Sequence, residues 1–127
     1  MLHSVLLVDD DPTLRRLYTR VLENMGCAVA TAPDGQEALT MAPHLRPHLI
    51  ITDLTMPRMN GLELCQALRE DPWLRDVPVI LHSGMDLLVP PPGVVYLRKT
   101  GDLAEFGAQV IRSLSEAPPA RRLTPAA

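Results

Sequence analysis

Short apolar runs alternate with amphipathic stretches from one end of this sequence to the other. Ser4–Val8 (SVLLV) is rich in Val and Leu and stops abruptly at Asp9-Asp10-Asp11, which reads as a buried parallel strand. Asp11-Pro12 then offers an N-cap followed by proline at the first helical position. Leu14, Leu17, Tyr18, Val21, Leu22 and Met25 follow at helical spacing, and Gly26 marks the stop. Cys27–Ala32 reads as a second strand; Asp34 with Glu37 opens a short helix through Ala38, Leu39 and Ala42, which Pro43 is expected to close. His48–Thr52 is a third strand ending in Asp53. Pro57, Asn60 and Gly61 mark a loop, and Leu62, Leu64, Cys65 and Leu68 carry a helix as far as Glu70. Val77–Leu81 is a fourth strand leading into His82-Ser83-Gly84, and Val94–Leu97 a fifth leading into Lys99. Asp102 begins a last helix with Leu103, Phe106, Val110, Ile111 and Leu114 expected on its buried face. Such alternation predicts an α/β architecture: a doubly wound, five-stranded parallel sheet with helices on both faces.

The chain of 127 residues is the length of one domain, with residues 1–116 forming it and the Pro- and Ala-rich 117–127 expected to be a flexible tail. A content of 46% apolar and 21% charged residues suits a globular domain. The net charge of -3 and the scattered basic residues argue against a nucleic-acid surface. No apolar run approaches a membrane span and no secretory leader opens the chain, so a cytoplasmic protein is expected. Cys27 and Cys65 stand apart from each other and read as buried apolar residues.

Open sheets of this kind bind ligands beyond the carboxyl ends of their strands, where Asp9, Asp10, Asp53, Ser83 and Lys99 are all expected. Carboxylates gathered at one edge repel unless something cationic sits among them. Oxygen ligands without His or Cys call for a hard ion, and Mg²⁺ is the natural choice. Of the 12 Lys and Arg residues only Lys99 is a lysine, a place where a compact, rotatable ammonium is wanted. A carboxylate can attack phosphorus to give an acyl phosphate, a transfer that needs mainly positioning and charge neutralisation. Asp11, followed by proline, reads as a helix cap only; Asp53 is poorly placed as one because Pro57 intervenes before the next helix.

VLLVDDDPTLRR, LIITDLTMPRMNGLEL, VILHSG and VVYLRKT occur in this order over Leu2 to about Ser115. Together they make the chain resemble the CheY-like receiver domains of two-component signalling. The resemblance implies a flavodoxin-like (βα)5 fold and Asp53 as the residue phosphorylated by a histidine kinase or phosphotransfer protein. It implies that Asp9, Asp10, Asp53 and the backbone carbonyl of Thr55 hold Mg²⁺. Lys99 and Ser83 would then bind the phosphoryl group, and Ser83 and Tyr96 would form the switch pair. The product would be a phosphoacceptor signalling domain and not an enzyme in its own right. It would act through an unidentified downstream protein, with a homodimer as a further option and with neither nucleic acid nor membrane as a partner. With no output domain in the sequence, a stand-alone receiver is expected.

Two departures from the family stand out. Only Met85–Gly93, containing Pro90-Pro91-Pro92, connects the fourth and fifth strands, so the usual fourth helix is expected to be absent or reduced to one turn. Leu87, Leu88 and Val89 would then be exposed for docking. Thr100, where the family has a cis proline, leaves the Lys99–Thr100 bond either trans or held cis by the site. His82 reads as a half-buried structural histidine, and Trp73 as a cover for the third helix or an exposed contact. Two rival readings remain at this point. One is a degenerate, phosphorylation-independent binding or dimerisation module. The other is a haloacid-dehalogenase-like phosphatase using Asp9-x-Asp11-x-Thr13, which leaves Asp53 without a role.

Overall fold

A computed structural model describes residues 2–86 and 89–116 of the chain. In chain order it contains β1 (Ser4–Val8), α1 (Pro12–Asn24), β2 (Ala28–Ala32), α2 (Gly35–Leu45), β3 (Leu49–Thr52), α3 (Gly61–Arg69), β4 (Val79–Ser83), β5 (Val94–Arg98) and α4 (Leu103–Ser115). Every strand pair is parallel and the sheet order is β2-β1-β3-β4-β5. This is the doubly wound parallel sheet that the alternation predicted, in the flavodoxin-like form that the resemblance implied.

The period of two along each strand divides the core. Leu6, Val8, Ile50, Val79 and Leu81 face Ala38 and Ala42 of α2 and Leu64, Cys65 and Leu68 of α3. Val5, Leu7, Leu49, Ile51 and Ile80 face Tyr18 and Leu22 of α1 and Phe106 and Val110 of α4. Strands buried on both faces read as continuous apolar runs, and SVLLV and LIIT are two such runs.

Several boundaries differ from the sequence expectation. Asp11 caps α1 as expected, accepting from the Thr13 and Leu14 N–H groups at 2.8 and 3.2 Å. Pro43, however, does not close α2. The helix runs on to Leu45, the Arg46 N–H reaches the Ala42 carbonyl at 2.9 Å, and Arg46 ends it in a left-handed conformation. Asn60 belongs to α3 as its N-cap, in a reciprocal box with Glu63. β4 extends through Ser83, opposite Arg98 of β5. In α4 the buried stripe is Phe106, Val110 and Ser113, while Leu103 and Ile111 are exposed. Ile111 follows Val110 by one residue, about 100° round the helix, and so points away from the sheet.

Between β4 and β5, residues 84–86 and 89–93 form no helix. The path turns back at Gly93, whose φ of 78° suits glycine, and the Val94 N–H donates to the Pro91 carbonyl at 3.1 Å. Val89 is 80% exposed, but Leu87 and Leu88, the rest of the expected docking patch, lie outside the described residues, as does 117–127. Trp73 is 56% exposed with the Arg46 guanidinium 5.6 Å from its ring. The His48 ring accepts the Ser4 N–H at 2.9 Å and so fixes the entry to β1. No described helix is long and apolar enough to cross a membrane.

Candidate functional site

The site is built from strand ends. Because Val8 of β1 pairs with Thr52 of β3, Asp9 and Asp53 leave neighbouring strands at the same level. The Asp53 N–H donates to the Val8 carbonyl at 2.9 Å and carries this register into the site. On the other side, the Lys99 N–H donates to the Ser83 carbonyl at 2.7 Å, which aims the residue after β5 along the same edge.

The Lys99 ammonium reaches back across the sheet, donating to Asp9 Oδ2 at 2.9 Å and to Asp53 Oδ2 at 3.2 Å. The remaining carboxylate oxygens accept main-chain donors: Asp9 Oδ1 the Asp11 N–H at 2.9 Å, and Asp53 Oδ1 the Leu54 N–H at 2.7 Å. The Arg15 guanidinium also donates to the Asp9 carbonyl at 2.7 Å, a tether from α1 that no sequence signal announced. Asp9 is only 3% exposed, whereas Asp10 lies on the surface with a carboxylate oxygen within 4.8 Å of those of Asp9 and Asp53. Gly61 is sterically required here: a Cβ on it would stand 2.3 Å from the Asp53 carbonyl oxygen.

Burial raises the Asp53 pKa, against the opposing pull of the Lys99 charge, and the Asp9 charge adds to the rise. Burial disfavours the Lys99 ammonium, but its hydrogen bonds and charge pairs with Asp9 and Asp53 outweigh that and raise its pKa. An ammonium held by two carboxylates is thus the resting arrangement. Three convergent carboxylates with an open, solvated member and no sulfur or imidazole donor suit a hard divalent cation that keeps some of its water, so the residues present fit Mg²⁺.

Of the residues singled out in the sequence, Asp9, Asp10, Asp53 and Lys99 are brought together. Thr55 sits two residues beyond Asp53, exposed, its hydroxyl donating to the Met85 sulfur at 3.3 Å. The Ser83 hydroxyl is engaged elsewhere, accepting the Met85 N–H at 3.1 Å. Tyr96 is half-buried and its hydroxyl donates to the Ser83 carbonyl at 3.4 Å, which links the two expected switch residues directly. The Lys99–Thr100 peptide is trans. His82 is buried rather than half-buried, its ring packed at 4.9 Å from Tyr18 and 5.0 Å from Phe106. Asp34 and Arg58, which the sequence marked only as a helix start and a loop residue, form an ion pair between α2 and the loop after Asp53.

An acidic cluster and a single lysine at the carboxyl edge of a five-stranded parallel sheet define a receiver-type signalling domain, and the comparisons with known proteins agree. The family described as "Response regulator receiver domain" matches residues 5–88, and the chain belongs to it. The match ends at residue 88, between β4 and β5. The DNA-binding response regulator MtrA of Mycolicibacterium smegmatis is 42% identical over 81 residues, covering 64% of this chain and 34% of MtrA. Protein PilG of Pseudomonas aeruginosa is 35% identical over 83 residues, covering 65% of this chain and 62% of PilG. The matched region therefore spans between about a third and under two thirds of these relatives. Among solved structures, the chemotaxis response regulator CheY4 of Vibrio cholerae aligns with a TM-score of 0.81 at 27% identity, over 89% of this chain and 99% of that one. The receiver domain of a signal transduction histidine kinase from Syntrophus aciditrophicus gives a TM-score of 0.82 at 30% identity, over 98% and 99%.

Proposed function

We propose that this chain is the phosphoacceptor switch of a two-component or phosphorelay system, phosphorylated on Asp53. The observation that carries the reading is the Lys99 ammonium shared between Asp9 at 2.9 Å and Asp53 at 3.2 Å, with Asp10 alongside. A carboxylate oxygen of Asp53 forms the new bond to phosphorus as the phosphorus–nitrogen bond of a phosphohistidine donor breaks, and the departing imidazole takes up a proton. Asp9, Asp10, Asp53 and the Thr55 carbonyl would hold Mg²⁺, which would supply positive charge to the transferring phosphoryl group. Lys99 swings from its carboxylate partners to one of the phosphoryl oxygens. Ser83 gives up the Met85 N–H and donates its hydroxyl to another, and Tyr96, bonded to the Ser83 carbonyl, follows that movement.

The donor is a sensor histidine kinase or a phosphotransfer protein, and the signal leaves by protein–protein contact in the cytoplasm. Residues 1–116 form the receiver unit and 117–127 a tail. The domain is not a general enzyme; it assists only its own phosphorylation and hydrolysis. A phosphorylation-independent binding module is the second reading, favoured by the absence of helix among the described residues, 84–86 and 89–93, between β4 and β5. Under a haloacid-dehalogenase-like reading Asp53 would have no role, although it shares Lys99 with Asp9.

Incubation with acetyl phosphate and Mg²⁺ followed by intact mass measurement tests the proposal. The wild type should gain one acid-stable, hydroxylamine-sensitive phosphoryl group, and Asp53→Asn none. A label that survives in Asp53→Asn, or a wild type that takes none up, refutes it.

A further inference from the structure

Asp34 is 1% exposed, yet it lies outside the acidic cluster and its carboxylate serves two elements at once. Oδ1 accepts the Glu37 N–H at 2.8 Å and caps α2. Oδ2 accepts both Nε, at 3.1 Å, and Nη2 of Arg58. Arg58 lies in the 54–60 loop between Asp53 and α3, and its side chain reaches in from the surface to this buried acid. Its backbone is left-handed, with φ of 68°, a conformation that a side chain other than glycine rarely adopts without an external hold.

The same loop is fastened at two further points. The Gly35 N–H donates to the Met59 carbonyl at 3.3 Å, and a Cβ on Gly35 would meet that oxygen at 2.8 Å. The Gly61 N–H donates to the Leu54 carbonyl at 2.8 Å. Thr55 falls between these fastenings. A loop outside the sheet has no hydrogen-bond ladder to fix its carbonyls, so what orients a backbone ligand must come from its own tethers.

We propose that the Asp34–Arg58 pair is a positioning device for the phosphoacceptor loop. It locks the loop backbone against the start of α2 in the form that offers the Thr55 carbonyl to a divalent cation beside Asp53. This rests on the metal-binding reading given under the proposed function. The pair touches no reacting atom and acts only through the loop.

The 127-residue chain and its Asp34→Asn, Arg58→Ala and Arg58→Lys variants provide the test, with Mg²⁺ affinity measured by isothermal titration calorimetry. Hydrogen exchange of the 54–61 amides is followed in parallel without metal. Asn caps a helix as well as Asp does, so Asp34→Asn removes the link and keeps the cap. Asp34→Asn and Arg58→Ala should each weaken Mg²⁺ binding by roughly 10-fold and speed exchange of the loop amides. The double variant should lose no more than the worse single one, and Arg58→Lys should recover part of the loss. Should Asp34→Asn fail to fold, Arg58→Ala, altered at a surface side chain, decides the matter alone. Variants that bind Mg²⁺ within twofold of a binding-competent wild type overturn the positioning role. A wild type that does not bind Mg²⁺ overturns instead the reading on which it rests.

Discussion

The His82 imidazole packs edge-on against Tyr18 and at a tilt against Phe106. Burial, and then the nearby Lys99 charge, lower its pKa from 6.5 to about 4, with Asp9 pulling weakly the other way. The ring is therefore neutral in the folded protein at physiological pH. The unfolded chain takes up a proton below about pH 6.5 that the folded chain refuses until about pH 4, so stability falls with pH across that window. By the lower end the loss from this one group is roughly 3 kcal/mol. His82→Leu should flatten the decline between pH 6.5 and 4 in urea-unfolding free energies, and an unchanged slope would show that carboxylates alone carry it. In the sequence His82 was recognisable as structural, but not its degree of burial, because its aromatic neighbours come from α1 and α4, 64 and 24 residues away respectively in the chain (82 − 18 and 106 − 82).

At the level of elements, the period-two and helical patterns located every strand and helix among the described residues, and they erred where tertiary contacts outweighed local preference. Pro43 would end an isolated helix, yet α2 continues because Ala38 and Ala42 are buried against the sheet and the Ala42 carbonyl is satisfied by Arg46. Proline there still lacks one helical donor and crowds the preceding turn. Pro43→Ala should therefore stabilise the protein by on the order of 1–2 kcal/mol, read as a higher urea midpoint at unchanged m-value. Asn60 was legible as a turn residue but not as a cap, since a capping box is recognised only once the following helix is placed. The buried stripe of α4 was right at Phe106 and Val110, with Leu114 partly buried beside them, and wrong at Leu103 and Ile111, which are exposed. Phe106 and Val110 fix it, and apolar residues at the helix start and on the far side mimic its continuation.

Across the whole molecule, the acidic cluster and Lys99 were readable because each lies within two residues of the end of a strand, and a parallel sheet sends all such positions to one edge. The tethers that hold the site, Arg15 to Asp9 and Arg58 to Asp34, were not, because long side chains on helices and loops carry no periodic signature. Lys99 closes the arrangement by joining the end of β5, an edge strand, to the ends of β1 and β3. Lys99→Met should leave the buried Asp9 without a cation and cost about 2–4 kcal/mol in metal-free buffer. Millimolar Mg²⁺ should restore part of that in a thermal melt; equal loss with and without Mg²⁺ would contradict this. Counted at formal charge, three acids and one ammonium give the strand ends a surplus of two negative charges. An ion of charge two would bring that sum to zero, whereas an alkali ion leaves it half corrected. A cleft at electrical balance no longer repels an approaching anionic donor.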